Sequence, residues 1–354
     1  MAPLQDSTVN AWIAATVARC WPHTHIANLA ALKGDASTRR FWRLSLEVRG
    51  SGDAPASAIA VDLGPDDLPL YARALNLVPE PLAEPPWLNL HRFLVSIGAP
   101  VPALYAADPV ARMLLVEDVG DTPLFDAASR GKTADLYRLA ADALLQLHLD
   151  GTRALDPRCI ASRLAYDARL FRWELSQFVD FGLAEVAPYA ERDSIAPELD
   201  DLAARLDRYP RVFSHRDFHG QNLFVQTDPN GGPRLRIIDF QDALMAPAAQ
   251  DLAVLLTTRD ASRIITPTIE RRVLDYYYAA LVRRNAAPLS FEDFLESYRL
   301  CVLQHALKVI GRFTFIERQG KSGYAAYLPY MLAQARRMLA LKPDFPQLRA
   351  ALGL

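Results

Sequence analysis

The sequence predicts an α+β chain made of two unequal parts. Three observations carry this. Residues 41–48 alternate side chains with a period of two, the pattern of a half-buried strand. From Thr133 onward, long stretches repeat their apolar residues at helical spacing. The change of character falls near Gly120. The expected division is therefore a strand-rich part, residues 1–119, and a mainly helical part, residues 120–354.

The elements follow in order. A first helix is expected from Asp6 to Ala18, with Val9, Ile13 and Val17 on one face and Ser7 or Thr8 as its cap. Gly34 to Thr38 form a tight loop of small residues. A strand follows, in which Phe41, Arg43, Ser45 and Glu47 face away from Trp42, Leu44, Leu46 and Val48. Residues 50–57 read as a turn, and AIAVDL, from Ala58 to Leu63, as a second strand. A proline-rich stretch leads to a helix from Trp87 to Ile97 that Gly98 ends. Short strands are expected at Ala103–Ala106 and Met113–Val116. Helices are expected at Thr133–Leu149, Arg163–Phe181 and Pro197–Tyr209. NLFV and LRIIDF form a hairpin whose turn holds Asn230, Gly231 and Gly232. From about Leu252 the chain is mostly helical.

Composition narrows the class. The chain has 354 residues, enough for one large domain or two lobes, and a formal net charge of −2. A dominant nucleic-acid surface is not expected. No apolar run is long enough for a membrane span, and the N-terminus has no leader pattern. Three scattered cysteines fit neither a disulfide framework nor a zinc site. A cytoplasmic enzyme or binding protein, expected to be a monomer, is the reading.

The chemistry concentrates in SHRDFHGQNLFV, from Ser214 to Val225. His215, Arg216, Asp217 and Asn222 spell H-R-D-x-x-x-x-N. In that pattern the Asp accepts a substrate hydroxyl proton and the Asn reaches a magnesium ion. Gly220 gives the loop room to turn, and Leu223 to Val225 anchor it. Taken alone, the stretch is as well read as a polar loop with capping residues. Asp239, in RIIDFQDA, changes the balance: it follows the hairpin and an apolar strand, where a second metal-holding Asp belongs.

On these motifs the chain resembles the aminoglycoside phosphotransferase-like kinases, relatives of protein kinases that phosphorylate small molecules. The resemblance covers most of the chain. Within that family it looks most like the anomeric kinases of cell-wall recycling, which act on N-acetylmuramate and N-acetylglucosamine. Three segments carry the narrower match: GDASTRRFWRL (Gly34–Leu44), LLVEDVGD (Leu114–Asp121) and QHALKVIGRFTFIERQGK (Gln304–Lys321). The resemblance implies a protein-kinase-like two-lobed fold with ATP and Mg2+ in the cleft. Asp217 would be the catalytic base, with Asn222 and Asp239 as metal ligands. Gly34, Ser37 and Thr38 would cover the phosphates. Glu117, Asp118 and Val119 would form the hinge whose backbone meets adenine.

One departure stands out. Protein kinases carry a lysine on the third strand, and here that position holds Val61 or Asp62. Arg39, Arg40 and Arg43 are either its substitutes at the phosphates or solvated strand-edge residues. The missing lysine keeps a nucleotide-binding module without turnover open, beside a kinase of another small hydroxyl compound. His215 and Arg216 read as loop-holding residues. His219 either points into the cleft or fills the turn. Asp242 is a metal or sugar ligand, or a local turn residue. Asp251 reads as a helix cap and His148 as packing. His23 and His25 lack a third metal ligand. Lys308 and Arg312 share a helical face that is either solvated or meets the carboxylate of a muramate lactyl group.

Overall fold

The computed structural model describes residues 6–32, 39–50, 52–65, 68, 70–78, 84–228 and 230–354. It has the expected α+β architecture. An antiparallel sheet runs in the order β1-β2-β3-β5-β4, with β1 Thr24–Leu32, β2 Arg40–Val48, β3 Ser57–Asp62, β4 Leu104–Asp108 and β5 Met113–Glu117. The periodicity of two did not announce β1. Its sequence THIANLAAL is an edge strand, largely exposed and alanine-rich, with a bulge between Ile26 and Asn28. His25 on this strand pairs with Glu47 across the sheet at 3.0 Å rather than holding a metal.

The sheet has two different faces because its strands alternate. Leu44, Leu46, Ala58, Ala60, Met113 and Leu115 meet Val9, Ile13 and Val17 of the Asp6–Cys20 helix in a small core. That helix is already formed at Asp6, so Ser7 and Thr8 lie within its first turn and do not cap it. Phe41, Arg43, Ile59, Val61 and Val116 line the cleft on the other face. The Pro86–Ser96 helix leans against the rest of the molecule. Its Trp87 stacks on His91 at 4.7 Å and meets Phe240 at 5.1 Å. Gly98, at φ +70°, ends the chain's run there, a conformation glycine adopts without strain.

Beyond β5 the molecule is mainly helical. The long Phe291–Arg318 helix runs through its centre, with most of its residues buried. Two expected helices begin elsewhere. The Ala168–Gln177 helix starts where Asp167 accepts the amides of Arg169 and Leu170, not at Arg163. The Arg192–Asp207 helix starts before Pro197 and contains it. Gly182, just past the first of these, faces Gly311 of the long helix. A Cβ on Gly311 would lie 2.3 Å from the backbone of Gln177, so only glycine allows the two segments to approach this closely. No helix among the described residues is long and apolar enough to cross a membrane.

Four short strands complete the fold: β6 Arg211–Ser214, β7 Leu223–Thr227, β8 Pro233–Ile237 and β9 Leu244–Pro247. β7 and β8 form the expected hairpin, while β6 pairs with β9 around it. The pairing is nested. It therefore places the loop between β6 and β7 beside the loop between β8 and β9. Glu117 at the end of β5 ties the two parts together. Its carboxylate accepts from Arg236 of β8 at 3.0 and 3.1 Å and from Gln226 of β7 at 3.3 Å.

Candidate active site

A cleft of about 730 Å³ lies between the sheet and the helical part, and both nested loops open into it. The first loop is gripped from below by Asp251. This carboxylate accepts the amides of His215 at 2.9 Å and Arg216 at 2.8 Å. Its buried position is shared with His148, whose Nε2 lies 3.1 Å away and whose Nδ1 bonds the Tyr277 hydroxyl at 2.6 Å. Asp251 is therefore not a helix cap and His148 is more than packing. The helix already starts at Ala248, which puts Asp251 inside its first turn and aimed at the loop. The grip matters because Arg216 has φ +75°, a left-handed conformation that costs a non-glycine residue of order 1–3 kcal/mol. Asp239, in the second loop, has φ +63°. Gly220 serves differently from the expected turn. Its φ is not left-handed; a Cβ there would sit 3.0 Å from the Cβ of Phe125 and 3.1 Å from its nitrogen. Close packing of the loop requires the glycine.

The loops bring Asp217, Asn222 and Asp239 together. Asp217 is half-buried, and no donor among the described residues bonds its carboxylate. Burial pushes its carboxyl up, but Arg216 and Lys308, then His219 and His215, outweigh this and hold it below its usual value. It is thus ionised and open. Asn222 donates its Nδ2 to the Asp217 carbonyl at 2.9 Å. A carbonyl can only accept, so this bond fixes the amide and leaves Oδ1 turned the other way. The same Nδ2 is 3.4 Å from Asp239 Oδ2. Asp239 is half-buried, and its carboxyl too is held low, by Arg39 and by a bond from Gln241. An ionised carboxylate beside a free amide oxygen is a hard donor pair, which suits magnesium completed by phosphate and water oxygens.

The three arginines separate in space. The guanidinium of Arg39, just ahead of β2, packs against the second loop, 2.7 Å from Asp239 Oδ1 and 2.7 Å from Gln241 Oε1. Arg40 pairs with Asp62 at 2.8 Å and with Asp6 at 2.9 Å. Asp62 at the kinase-lysine position is thus neutralised by its neighbour on β2. Arg43 is clamped at the hinge by Asp118 at 2.8 Å and Asp121 at 2.8 Å. Glu117, Asp118 and Val119 all line the cleft, although the Glu117 amide is taken by the Ala103 carbonyl at 2.8 Å. Gly34, Ser37 and Thr38 lie outside the described residues.

The far end of the cleft is built around Glu174, which is fully buried. Arg216 donates to it at 2.9 Å, Gln304 at 3.1 Å and Lys308 at 3.1 Å, and Tyr166 also donates its hydroxyl. Burial opposes its charge, but Lys308 and Arg216 bring its carboxyl down to about 2. Arg216 also reaches Asp242 at 3.3 Å and lies over the Tyr71 ring at 4.2 Å. Glu174 was missed in the sequence, though it stands on the same helical face as Leu170, Phe171, Leu175 and Phe178, all buried. A carboxylate on an apolar face is a readable signal. His219 lines the cleft and bonds within its own loop, its Nδ1 3.3 Å from the Gln221 amide. Lys308 and Arg312 both face the cleft rather than solvent.

The buried histidines predict a pH response. Burial holds His305 down to about 3 and His219 down to about 4, against an ordinary value of 6.5. Below pH 6.5 the unfolded chain gains these protons and the folded chain refuses them. Stability should therefore fall as pH drops toward 4.5. Asp242 works in the opposite sense: burial raises its carboxyl to about 6, so its proton favours the folded state in the same interval. Denaturant melts at pH 7 and pH 5 should show a smaller loss for His305→Gln than for the wild type. Equal losses would contradict this account.

Comparison with known proteins adds a second line of argument. The sequence model described as the phosphotransferase enzyme family matches residues 69–291. The N-acetylmuramate/N-acetylglucosamine kinase of Caulobacter vibrioides is 31% identical over 328 residues, covering 84% of each chain. The protein of the same name from Pseudomonas aeruginosa is 29% identical and covers 94% of this chain and 90% of its own. Among solved structures, a choline kinase from Streptococcus pneumoniae matches with a TM-score of 0.59 at 17% identity, covering 97% of this chain and 99% of its own. An aminoglycoside phosphotransferase with ADP bound gives 0.54 at 16% identity, covering 98% of each chain.

Proposed function

The chain belongs to the phosphotransferase enzyme family, and on that premise we propose that it transfers the γ-phosphoryl group of ATP to the anomeric hydroxyl of N-acetylmuramate and N-acetylglucosamine. The observation that carries the reaction type is the open, ionised carboxylate of Asp217 beside Asn222 and Asp239. The relatives' names carry the substrate. Asp217 orients the anomeric hydroxyl and takes its proton as the new bond forms. That hydroxyl is more acidic than an ordinary alcohol, so a carboxylate held low is a sufficient base. The Asn222 amide oxygen and the Asp239 carboxylate would hold magnesium, which when bound would offset charge on the transferring group. Asp251 and Glu174 keep the loop and Arg216 in place. Every side chain in this scheme comes from one chain, so a single copy suffices.

Arg39 is the proposed substitute for the absent lysine. It is the one of the three arginines that reaches the metal loop; Arg40 and Arg43 are engaged elsewhere. Arg39→Ala should raise KM for magnesium-ATP by about tenfold or more, the cost of a charge-assisted bond. Arg40→Ala should instead lower the melting temperature, because Asp62 is buried and loses its partner. Steady-state kinetics and thermal melts of the two variants check this; an unchanged KM in Arg39→Ala removes the assignment.

The test of the function is an ADP-release assay with magnesium-ATP and a panel of acceptors. Turnover of both free sugars, and none of their 1-O-methyl glycosides, is expected. Turnover of the glycosides would move the reacting hydroxyl. Nucleotide binding without turnover of any acceptor would reduce the protein to a binding module.

A further inference from the structure

The cations that line the far end of the cleft are not equivalent. Arg216 is held between Glu174 and Asp242. Lys308 is 13% exposed and gives its charge to Glu174 at 3.1 Å. Arg259 lies over the Tyr327 ring at 5.6 Å. Arg312 stands one helical turn beyond Lys308, half-buried, with its guanidinium over the Phe315 ring at 5.6 Å. No carboxylate among the described residues pairs with it. Burial and the nearby Arg216 both work against its charge. Glu174 favours its charge only from beyond bonding distance and is already shared by Arg216 and Lys308, and the guanidinium lines the same cleft as Asp217. Trp173 and Gln177 from the Ala168–Gln177 helix, with Val309 and Phe313, form the surrounding walls.

An acceptor placed with its anomeric hydroxyl at Asp217 extends its other substituents toward these walls. The two sugars of the proposed function differ in one respect that a cation can read. N-acetylmuramate carries a lactyl ether, and so a carboxylate, where N-acetylglucosamine has a hydroxyl. A guanidinium offers a planar fork that matches a carboxylate in two bonds, which an ammonium already committed to Glu174 does not. Resting on the amino-sugar reading above, we propose that Arg312 is the carboxylate-binding residue of the acceptor pocket and sets the preference for N-acetylmuramate over N-acetylglucosamine. Lys308 is then a positioning residue that keeps Glu174 and Arg216 in register.

The experiment measures kcat/KM for both sugars in the wild type, Arg312→Gln and Arg312→Lys, with the methyl ester of N-acetylmuramate as a third acceptor. Arg312→Gln should lower kcat/KM for N-acetylmuramate by about 10- to 100-fold, mainly through KM, as expected for a charged bond. N-acetylglucosamine should change less than about threefold, and the ester should not distinguish the variant from the wild type. Arg312→Lys should recover part of the loss. An equal loss on both sugars, or an unchanged value for N-acetylmuramate, overturns the assignment and leaves the sugar-kinase reading standing. A wild type that phosphorylates neither sugar overturns the sugar-kinase reading itself. The salt dependence of the wild type is a second measurement that needs no variant. Added salt should weaken N-acetylmuramate binding and spare the ester; identical slopes for the two contradict the proposal.

Discussion

Asp217→Asn is expected to lower kcat by about two to four orders of magnitude, the usual span for removing a positioned base. The KM for ATP should stay within about twofold of the wild type. The substitution keeps the shape of the side chain and removes only its charge and basicity. No donor among the described residues bonds the Asp217 carboxylate, so the variant leaves no partner stranded. The backbone carbonyl of Asp217, which holds Asn222, is also untouched. Stopped assays with a high enzyme concentration resolve such a loss. Asp242→Asn is the informative comparison, because Asp242 lines the same cleft but is bonded to Arg216 and pushed up to about 6. A larger loss in Asp242→Asn than in Asp217→Asn would exchange their roles.

Asp239→Asn should be at least as damaging. A metal ion on a transferring phosphoryl group contributes several kcal/mol, about three orders of magnitude in rate. The amide that replaces the carboxylate has no charge to hold magnesium, and it releases Arg39 from its 2.7 Å contact. Two readings separate the effects. Titration of magnesium in the presence of ADP should show the metal affinity lost, whereas ADP without metal should bind as in the wild type. Retained magnesium affinity would place the metal on other groups. The melting temperature gives a further check: Arg39 and Gln241 hold the Asp239 carboxyl low, so its charge adds to stability at neutral pH and the variant should melt lower.

Much of this site could be read from the chain. Asp217, Asn222 and Asp239 follow a spacing that a loop, a hairpin and a second loop impose, and the nested pairing of β6–β9 shows why the spacing works. The strands of the sheet were legible where they alternate, as in β2, and illegible where alanine and exposure blur the alternation, as in β1. The supporting residues were harder to see. Asp251 and Glu174 each act across a long stretch of chain, on His215 and Arg216, and nothing local marks which partner a buried carboxylate will take. Asp251 was misread because an acidic residue early in a helix has a ready local explanation as a cap. The face shared by Lys308 and Arg312 stayed open for the same reason: four-residue spacing puts them on one face, but only packing decides whether that face meets water or the cleft.

Gly311 and Gly182 have a consequence for how such a pocket could diverge. They let two segments close until main chain meets main chain, so backbone contact and not side-chain bulk sets the spacing of the two walls that carry Trp173, Gln177, Val309 and Phe313. A spacing of this kind is insensitive to side-chain exchange. The aperture is a fixed dimension, while those four side chains are interchangeable linings mounted on it. Acceptor range would then drift by relining a gauge of constant width, and a bulkier acceptor would be admitted by trimming a lining and not by parting the walls.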